Sequence, residues 1–366
     1  MGIFLLNLGG PDSLKAIRPF LYNLFSDREI IKFGPSLLQK PIALLISSLR
    51  AKKTAEMYSL IGGKSPILDI TAAQAQALEK ALNDSSLNLQ PSSLSFKVYT
   101  GMRYWHPFIK DTIEKILQDG IKHLIVLSLY PHYSKATTGS AIAELKRTIA
   151  KVYTPTRPSP VPKRVSAKGR SDKGEGKGGS AIDIQYIEQW YDFPPYIDAL
   201  AGLVAEGISE FRESGFDILY SAHSLPESFI QEGDPYLEHI KKTITLLNER
   251  LSSNPYHITN FRWQLSFQSK SGPVKWLSPA TEEVIIEKAN AGIKNLFVVP
   301  ISFVSDHIET LYEIDILYKE LAVRHGINLK RCRSLNASEG FINALKELVL
   351  TKINQTVNLP SLDGRG

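Results

Sequence analysis

Short, nearly continuous apolar runs alternate along the chain with longer stretches in which apolar residues recur every three or four positions. The runs at 2–8, 94–100, 124–129, 182–187, 217–221, 261–267 and 296–301 are rich in Ile, Val, Leu and Phe. Their length and their place between helical stretches mark them as candidate strands. Helical spacing marks 71–82, 107–118, 140–151, 195–213, 236–251, 279–290 and 306–323. A last helix at 338–351 has Glu339 near its start and Lys352 at its end, the arrangement a helix dipole favours. Strands alternating with helices predict an α/β fold built on mostly parallel sheets. The same rhythm on either side of 151–180 predicts two doubly wound domains facing across a cleft, with functional loops at the carboxyl ends of strands. The first domain would be 1–150, joined by the final helix at 336–354, and the second 181–335. The pattern says almost nothing about strand order.

One stretch breaks the rhythm. Between Phe33 and Leu49 the chain is densely apolar, and Arg50, Lys52 and Lys53 follow. Two readings stand side by side: a core helix, or an exposed apolar lip with a basic rim, suited to an apolar ligand or a membrane surface. No run approaches the ~20 apolar residues that span a bilayer. The opening run leads straight into Gly9-Gly10-Pro11 with no basic residues before it, which fits a core strand better than a secretory signal.

The chain has 366 residues and a formal net charge of +6. Residues 151–180 hold eight basic residues against two acidic ones, which accounts for that whole excess. The folded body is therefore neutral, and a nucleic-acid partner is not expected. The same segment is rich in Pro and Gly and poor in apolar residues, so it reads as a flexible basic insertion; a tether to anionic lipid is the functional alternative. The single cysteine, Cys332, excludes intrachain disulfides and any cluster held by several thiolates, and points to a reducing, cytoplasmic setting.

Chemistry concentrates in a few loops. Tyr220-Ser-Ala-His223-Ser-Leu-Pro226 follows a strand, which puts His223 at a strand's carboxyl end, able to take a proton or to donate to a metal. A structural histidine is the plain alternative. Asp306, Glu309 and Glu313, spaced three and four apart after the strand at 296–301, would line one helical face. Such a row offers hard oxygen ligands to Fe²⁺ or Mg²⁺, or a path for protons; otherwise it is a solvated acidic face. Gly9-Gly10 lacks the pattern of a nucleotide loop and more readily lets the backbone turn tightly beside a flat ligand. Arg103, within GMRYWHP, could pair a ligand carboxylate while aromatic rings flank an apolar body.

Taken together, the segments LLNLGGPDSL, IGGKSPI, GMRYWHPFI, LYPHYSKATTGS, SAHSLPESFIQEGDPY, FQSKSGPVKWLSPAT and PISFVSDHIETLYEIDI resemble the ferrochelatase family from Leu5 to about Leu348. The resemblance implies two Rossmann-like domains with parallel sheets facing across a porphyrin cleft. It implies insertion of ferrous iron into protoporphyrin IX to give protohaem, with coproporphyrin III as the alternative substrate. His223 and Glu309 match the pair assigned to the iron site. Asp306, His307 and Glu313 match the acidic helix, which in the family contains a widened turn. Leu8, Tyr58, Tyr130, Trp276 and Phe303 match pocket positions, and Arg103 a propionate or structural partner.

Iron would enter as substrate, with no resident cofactor and no iron–sulfur cluster, since one cysteine cannot hold one. Partners would be porphyrin and ferrous iron, the chain a monomer, and the inner membrane a peripheral contact. His223 is expected to accept pyrrole protons on one face of the macrocycle. Glu309, backed by Asp306 and Glu313, would handle metal or protons on the opposite face, and the two roles can be exchanged. A non-catalytic tetrapyrrole carrier and a basic nucleic-acid binder are the competing classes.

Overall fold

A computed structural model describes residues 1–31, 33–84, 95–153, 182–211 and 215–357. Almost all of the basic insertion, and residue 94 at the expected start of the second strand, lie outside the described residues. Among those described, the chain opens with β1 (Gly2–Asn7), α1 (Ile17–Phe25), α2 (Ser36–Ser59) and α3 (Ile67–Asn83). It continues through β2 (Lys97–Met102), α4 (Ile109–Gln118), β3 (His123–Ser128), α5 (Ser140–Tyr153), β4 (Asp183–Ile187) and α6 (Pro194–Ile208). Then come β5 (Asp217–His223), α7 (Glu227–Gln231), α8 (Tyr236–Ser252), β6 (Arg262–Gln268), α9 (Thr281–Asn290) and β7 (Asn295–Pro300). A wide helical segment (Glu309–Tyr318), α10 (Lys319–Arg324), β8 (Asn328–Arg331) and α11 (Glu339–Val357) complete it.

Two four-stranded sheets, wholly parallel, have the orders β2-β1-β3-β4 and β6-β5-β7-β8. The second repeats the first: each doubly wound sheet reverses direction beside its own first strand. The α/β class and the two-sheet layout therefore hold. One boundary does not. β4 pairs in parallel with β3 as the edge of the first sheet, whereas a division at 180/181 assigns it to the second domain. The chain completes the first sheet after the insertion and crosses over only then.

Central strands are buried on both faces, which is why they read as unbroken apolar runs. In β1, Ile3 and Leu5 face one way and Phe4 and Leu6 the other; all four are fully buried. In β7, Phe297 and Val299 face one cluster and Leu296 and Val298 a second. The cluster shared by Leu5, Tyr220, Phe297 and Phe341 runs from one sheet to the other. α11 packs on both α3 and α6, so it joins the two lobes rather than serving the first alone.

The α2 helix settles the reading of the apolar stretch at 33–49. Its inward face is small or polar, with Gln39, Ala43 and Ser47 buried at four-residue spacing. Gln39 ends the turn before it, its Nε2 donating to the carbonyls of Phe25 (2.8 Å) and Ile31 (2.9 Å). The large side chains point outward: Leu37 is 87% exposed, Leu49 73% and Leu45 60%. The stretch is an exposed lip, not a core helix. Among the described residues no helix is long and apolar enough to cross a membrane.

Close packing generates a test. A Cβ on Gly207 in α6 would stand 2.4 Å from the Phe297 ring, which is 1% exposed and has nowhere to move. Gly207→Val should lower unfolding stability in urea by roughly 1–3 kcal/mol, the usual cost of overpacking a core; an unchanged midpoint contradicts this packing.

Candidate active site

In the second sheet the order reverses between β5 and β7, so the loops leaving these neighbouring strands diverge and open a crevice at their carboxyl ends. His223 is the last residue of β5. β7 leads through Ser302 to Ser305 into the wide helical segment, whose first residue is Glu309. Adjacent strands lie only ~4.8 Å apart. The two side chains consequently meet: His223 Nδ1 lies 2.8 Å from Glu309 Oε2. They do not oppose each other across a slot, as the sequence reading expected, because no macrocycle fits within one hydrogen bond. Imidazole and carboxylate stand together as one hydrogen-bonded pair.

His223 keeps 36% of its side-chain surface open. Protein nevertheless surrounds it closely enough that burial works against the imidazolium, a combination found at the floor of a concavity. The Glu309 charge and hydrogen bond outweigh that burial and raise the His223 pKa. Burial alone would likewise raise Glu309, but the His223 charge and hydrogen bond hold it far below the usual carboxylate range. With Nδ1 engaged, Nε2 is the nitrogen left for a ligand.

Ser269, just past β6, links the two glutamates. Its Oγ is 2.8 Å from Glu309 Oε2 and 2.6 Å from Glu313 Oε2. A hydroxyl has one hydrogen and can donate to only one of them, so the other carboxyl must itself be the donor. His223 keeps Glu309 ionised; Glu313 is the protonated member. Burial, then the Glu309 charge, push the Glu313 pKa up to about 8, in agreement with the hydrogen-bond count. Gln268 Nε2 donates to the Glu309 carbonyl (3.0 Å) and to Glu313 Oε2 (3.2 Å). Sequence reasoning missed Ser269 and Gln268, which lie at the carboxyl end of β6, a strand that mixes polar with apolar residues. Ser269 adopts φ 66°, a left-handed conformation unusual for serine, which aims its hydroxyl between the carboxyls.

Other expected residues divide clearly. Phe303 packs edge-on to His307 (4.3 Å between ring centres) and stands 6.4 Å from the His223 ring. His307 is buried, with Nδ1 3.0 Å from the Ser305 carbonyl and Nε2 3.9 Å from Glu309 Oε1. Tyr58 and Tyr130 lie near enough for the Glu309 charge to disfavour their ionisation, after burial as the larger cause. Leu8 and Tyr58 share a cluster with Ile308, next to Glu309, so first-lobe pocket positions do reach the second-lobe site. Trp276 is bridged through its backbone to Pro226, three residues after His223.

Asp306 is not where the sequence reading put it, and Arg103 takes the structural one of its two readings. Asp306 does not join the Glu309–Glu313 row. Its carboxylate accepts from Arg331 Nη1 (3.0 Å), Ser334 Oγ (2.7 Å) and Asn336 Nδ2 (2.8 Å). A three-and-four spacing presumes an ordinary α-helix, but Asp306 precedes the helical segment, and that segment is wound wider, with i→i+5 bonds. Arg331 also grips Asp315 through two 2.8 Å bonds, so Asp306 and Arg331 anchor this helix. Arg103 is likewise committed inside the protein, to Asp27 (2.8 Å) and Ser140 (2.8 Å), rather than turned toward a ligand.

Among the described residues no group of three His, Cys, Asp or Glu side chains is preformed to hold a metal. The His223–Glu309 pair supplies one nitrogen and one carboxylate, leaving most of a divalent ion's coordination sphere for water or substrate.

Comparison with known proteins bears on this arrangement. The family pattern described as Ferrochelatase matches residues 1–353. The Ferrochelatase of Desulfotalea psychrophila is 47% identical over 349 residues, covering 95% of this chain and 96% of that one. The Ferrochelatase of Geotalea uraniireducens is 48% identical over 349 residues with the same coverage. Among solved structures, SirB from Bacillus subtilis with Fe3+ superimposes with a TM-score of 0.50 at 16% identity, over 79% of this chain and 92% of SirB; this likeness concerns the fold.

The protonation pattern is measurable. Glu313 should show an un-ionised carboxyl infrared band at neutral pH that fades as pH rises through about 8 and is missing in Glu313→Gln. Its unfolded counterpart loses the proton near the ordinary ~4.3. Between those values the folded state binds more protons, so this group makes stability fall with rising pH. Glu313→Gln should flatten that slope; an unchanged slope and no such band contradict the assignment.

Proposed function

Because the chain belongs to the ferrochelatase family, whose reaction is metal insertion into a porphyrin, we propose that its substrates are protoporphyrin IX and ferrous iron and its product protohaem. The observation that carries the mechanism is the hydrogen-bonded set His223–Glu309–Ser269–Glu313, which stores protons beside two metal-capable groups. Metal insertion exchanges one divalent ion for two pyrrole protons, so the protein must move protons off the ring and hold the ion near it.

At neutral pH the set carries an imidazolium, a carboxylate and a neutral acid, and is formally uncharged. Fe²⁺ arriving at Glu309 competes with the shared proton and drives it off the pair. Neutral His223 then meets the porphyrin with Nε2 and accepts pyrrole protons, while Glu309 holds the imidazole in place and takes part in delivering iron. Glu313 and Ser269 relay protons behind them, Glu313 giving its own proton to solvent as it takes the next through Ser269. A planar macrocycle keeps its nitrogens in plane, so a pocket that holds it bent favours the transition state; Phe303, Tyr58, Tyr130, Leu8 and Trp276 would supply its walls. Imidazole and carboxylate working from one side leave the other face of the ring to these apolar and aromatic groups.

Protoporphyrin, with two vinyl groups and two propionates, suits the exposed leucine lip of α2 better than the four-carboxylate coproporphyrin. The engagement of Arg103 with Asp27 supports this, since it removes one cation that further propionates could use. The same lip, with Lys40, Arg50 and the lysines at 52 and 53 along it, would rest peripherally on an anionic membrane that holds apolar substrate and product. A carrier without catalysis is disfavoured because the floor of its pocket would have no need of a proton-storing set.

Anaerobic turnover with the two porphyrins side by side tests the proposal. Protoporphyrin should give the larger kcat/KM, and His223→Ala should lower turnover at least a hundredfold, in the range of about 10²–10⁴ for loss of a general base. Faster coproporphyrin turnover reverses the substrate choice; unchanged spectra on adding Fe²⁺ to the porphyrin-bound protein would mean a carrier. Membrane contact is tested by flotation with phosphatidylglycerol vesicles: the wild type should co-float and Leu37→Ser/Leu45→Ser should not, and equal flotation contradicts the role of the lip.

A further inference from the structure

His223 stands where sheet bonding runs out. On the β7 side the ladder ends at Ser221 opposite Pro300, two residues before the imidazole. Beyond it, two side chains take over the main chain. The His223 N–H donates to Ser302 Oγ at 3.0 Å, and the Tyr236 hydroxyl donates to the His223 carbonyl at 3.0 Å. The two bonds hold the His223 main chain at both its N–H and its carbonyl, and both Tyr236 and Ser302 are buried, at 6% and 7% exposure. Removing one hydroxyl leaves buried polar partners unsatisfied and frees the peptide that carries the imidazole.

Tyr236 is itself tied to the opposite lobe. It opens α8, and its N–H donates to Asp234 Oδ1 at 3.1 Å. The other oxygen of Asp234, a buried carboxylate, accepts from Ser134 Oγ (2.9 Å) and the Lys135 N–H (2.8 Å), both just after β3 in the first lobe. The Tyr236 ring packs edge-on to buried His132, which bonds Thr243 of α8 at 2.9 Å. The place of the His223 backbone thus depends on how the two lobes dock.

We propose that Tyr236 is a positioning residue for His223, holding the peptide of the base in place while Asp234 references that hold to the first lobe. The proposal rests on the reading of His223 as the proton acceptor. Tyr236 touches no reacting atom; it acts through the main chain. Since a displacement of about 1 Å in a reacting group can cost ~10²-fold, the effect belongs in kcat and not in porphyrin binding.

The test compares Tyr236→Phe with Tyr220→Phe. The second deletes a buried tyrosine hydroxyl that bonds Asn248 at 2.6 Å in the same lobe and not the main chain of His223. Tyr236→Phe should lower kcat for iron insertion by roughly ten- to a hundredfold with porphyrin KM nearly unchanged, and Tyr220→Phe should leave kcat as it is. In substrate-free, histidine-¹⁵N-labelled protein, the His223 ring signals should shift or double in Tyr236→Phe and stay put in Tyr220→Phe. Ser302→Ala, which removes the acceptor of the His223 N–H, should repeat both effects and serves if Tyr236→Phe does not fold. Wild-type kcat with an unmoved His223 spectrum overturns the proposal, as does an equal kcat loss in Tyr220→Phe. If the wild type itself inserts no iron, the functional reading fails, while the ring spectra still decide whether Tyr236 holds His223.

Discussion

An imidazole and a carboxylate brought to hydrogen-bond distance by two adjacent parallel strands govern the site. The separation is imposed by the sheet: β5 and β7 are neighbours, and the order reverses between them. Whatever leaves their carboxyl ends begins within one strand spacing and then diverges. His223 and Glu309 stay together while the loops around them part, which yields a coupled pair at the floor of an opening. The first sheet repeats the same order, and its corresponding loops bring Leu8 and Tyr130 toward the same opening.

Coupling decides the charges. Separately, buried Glu309 and His223 would each tend toward neutrality; together they retain an ion pair, and the retained negative charge makes Glu313 hold its proton. Ser269 converts that electrostatic order into a directed chain of hydrogen bonds, and the wide winding of the helix from Glu309 to Tyr318 sets both glutamates against it. The Asp306–Arg331–Asp315 bridge fixes the winding from outside. A cluster so arranged has zero net charge yet contains mobile protons, the condition under which a divalent ion can enter and protons can leave.

Much of this was legible in the chain and some could not be. Apolar runs located seven of the eight strands, most plainly the four central ones, which are covered on both faces. β8 escaped because only Leu329 of its four residues is apolar, and the apolar stretch at 33–49 left its orientation open because α2 turns small residues inward and leucines outward. Motif spacing led to His223, Glu309 and Glu313. Their mutual geometry depends on strand order, which periodicity does not encode, so opposition across a macrocycle was a natural but mistaken picture. Asp306 was misplaced for a related reason: a three-residue offset implies a shared face only at 3.6 residues per turn. The partner of Arg103 is Asp27, 76 residues earlier, and no local pattern announces it.

If imidazole and carboxylate form one unit, their contributions to turnover cannot add. A double-mutant cycle on anaerobic kcat with His223→Ala, Glu309→Gln and the combined variant is the most direct measurement. The account predicts that the double variant is scarcely slower than the slower single one. Losses that multiply, as two groups working independently on opposite faces of the ring would give, contradict it.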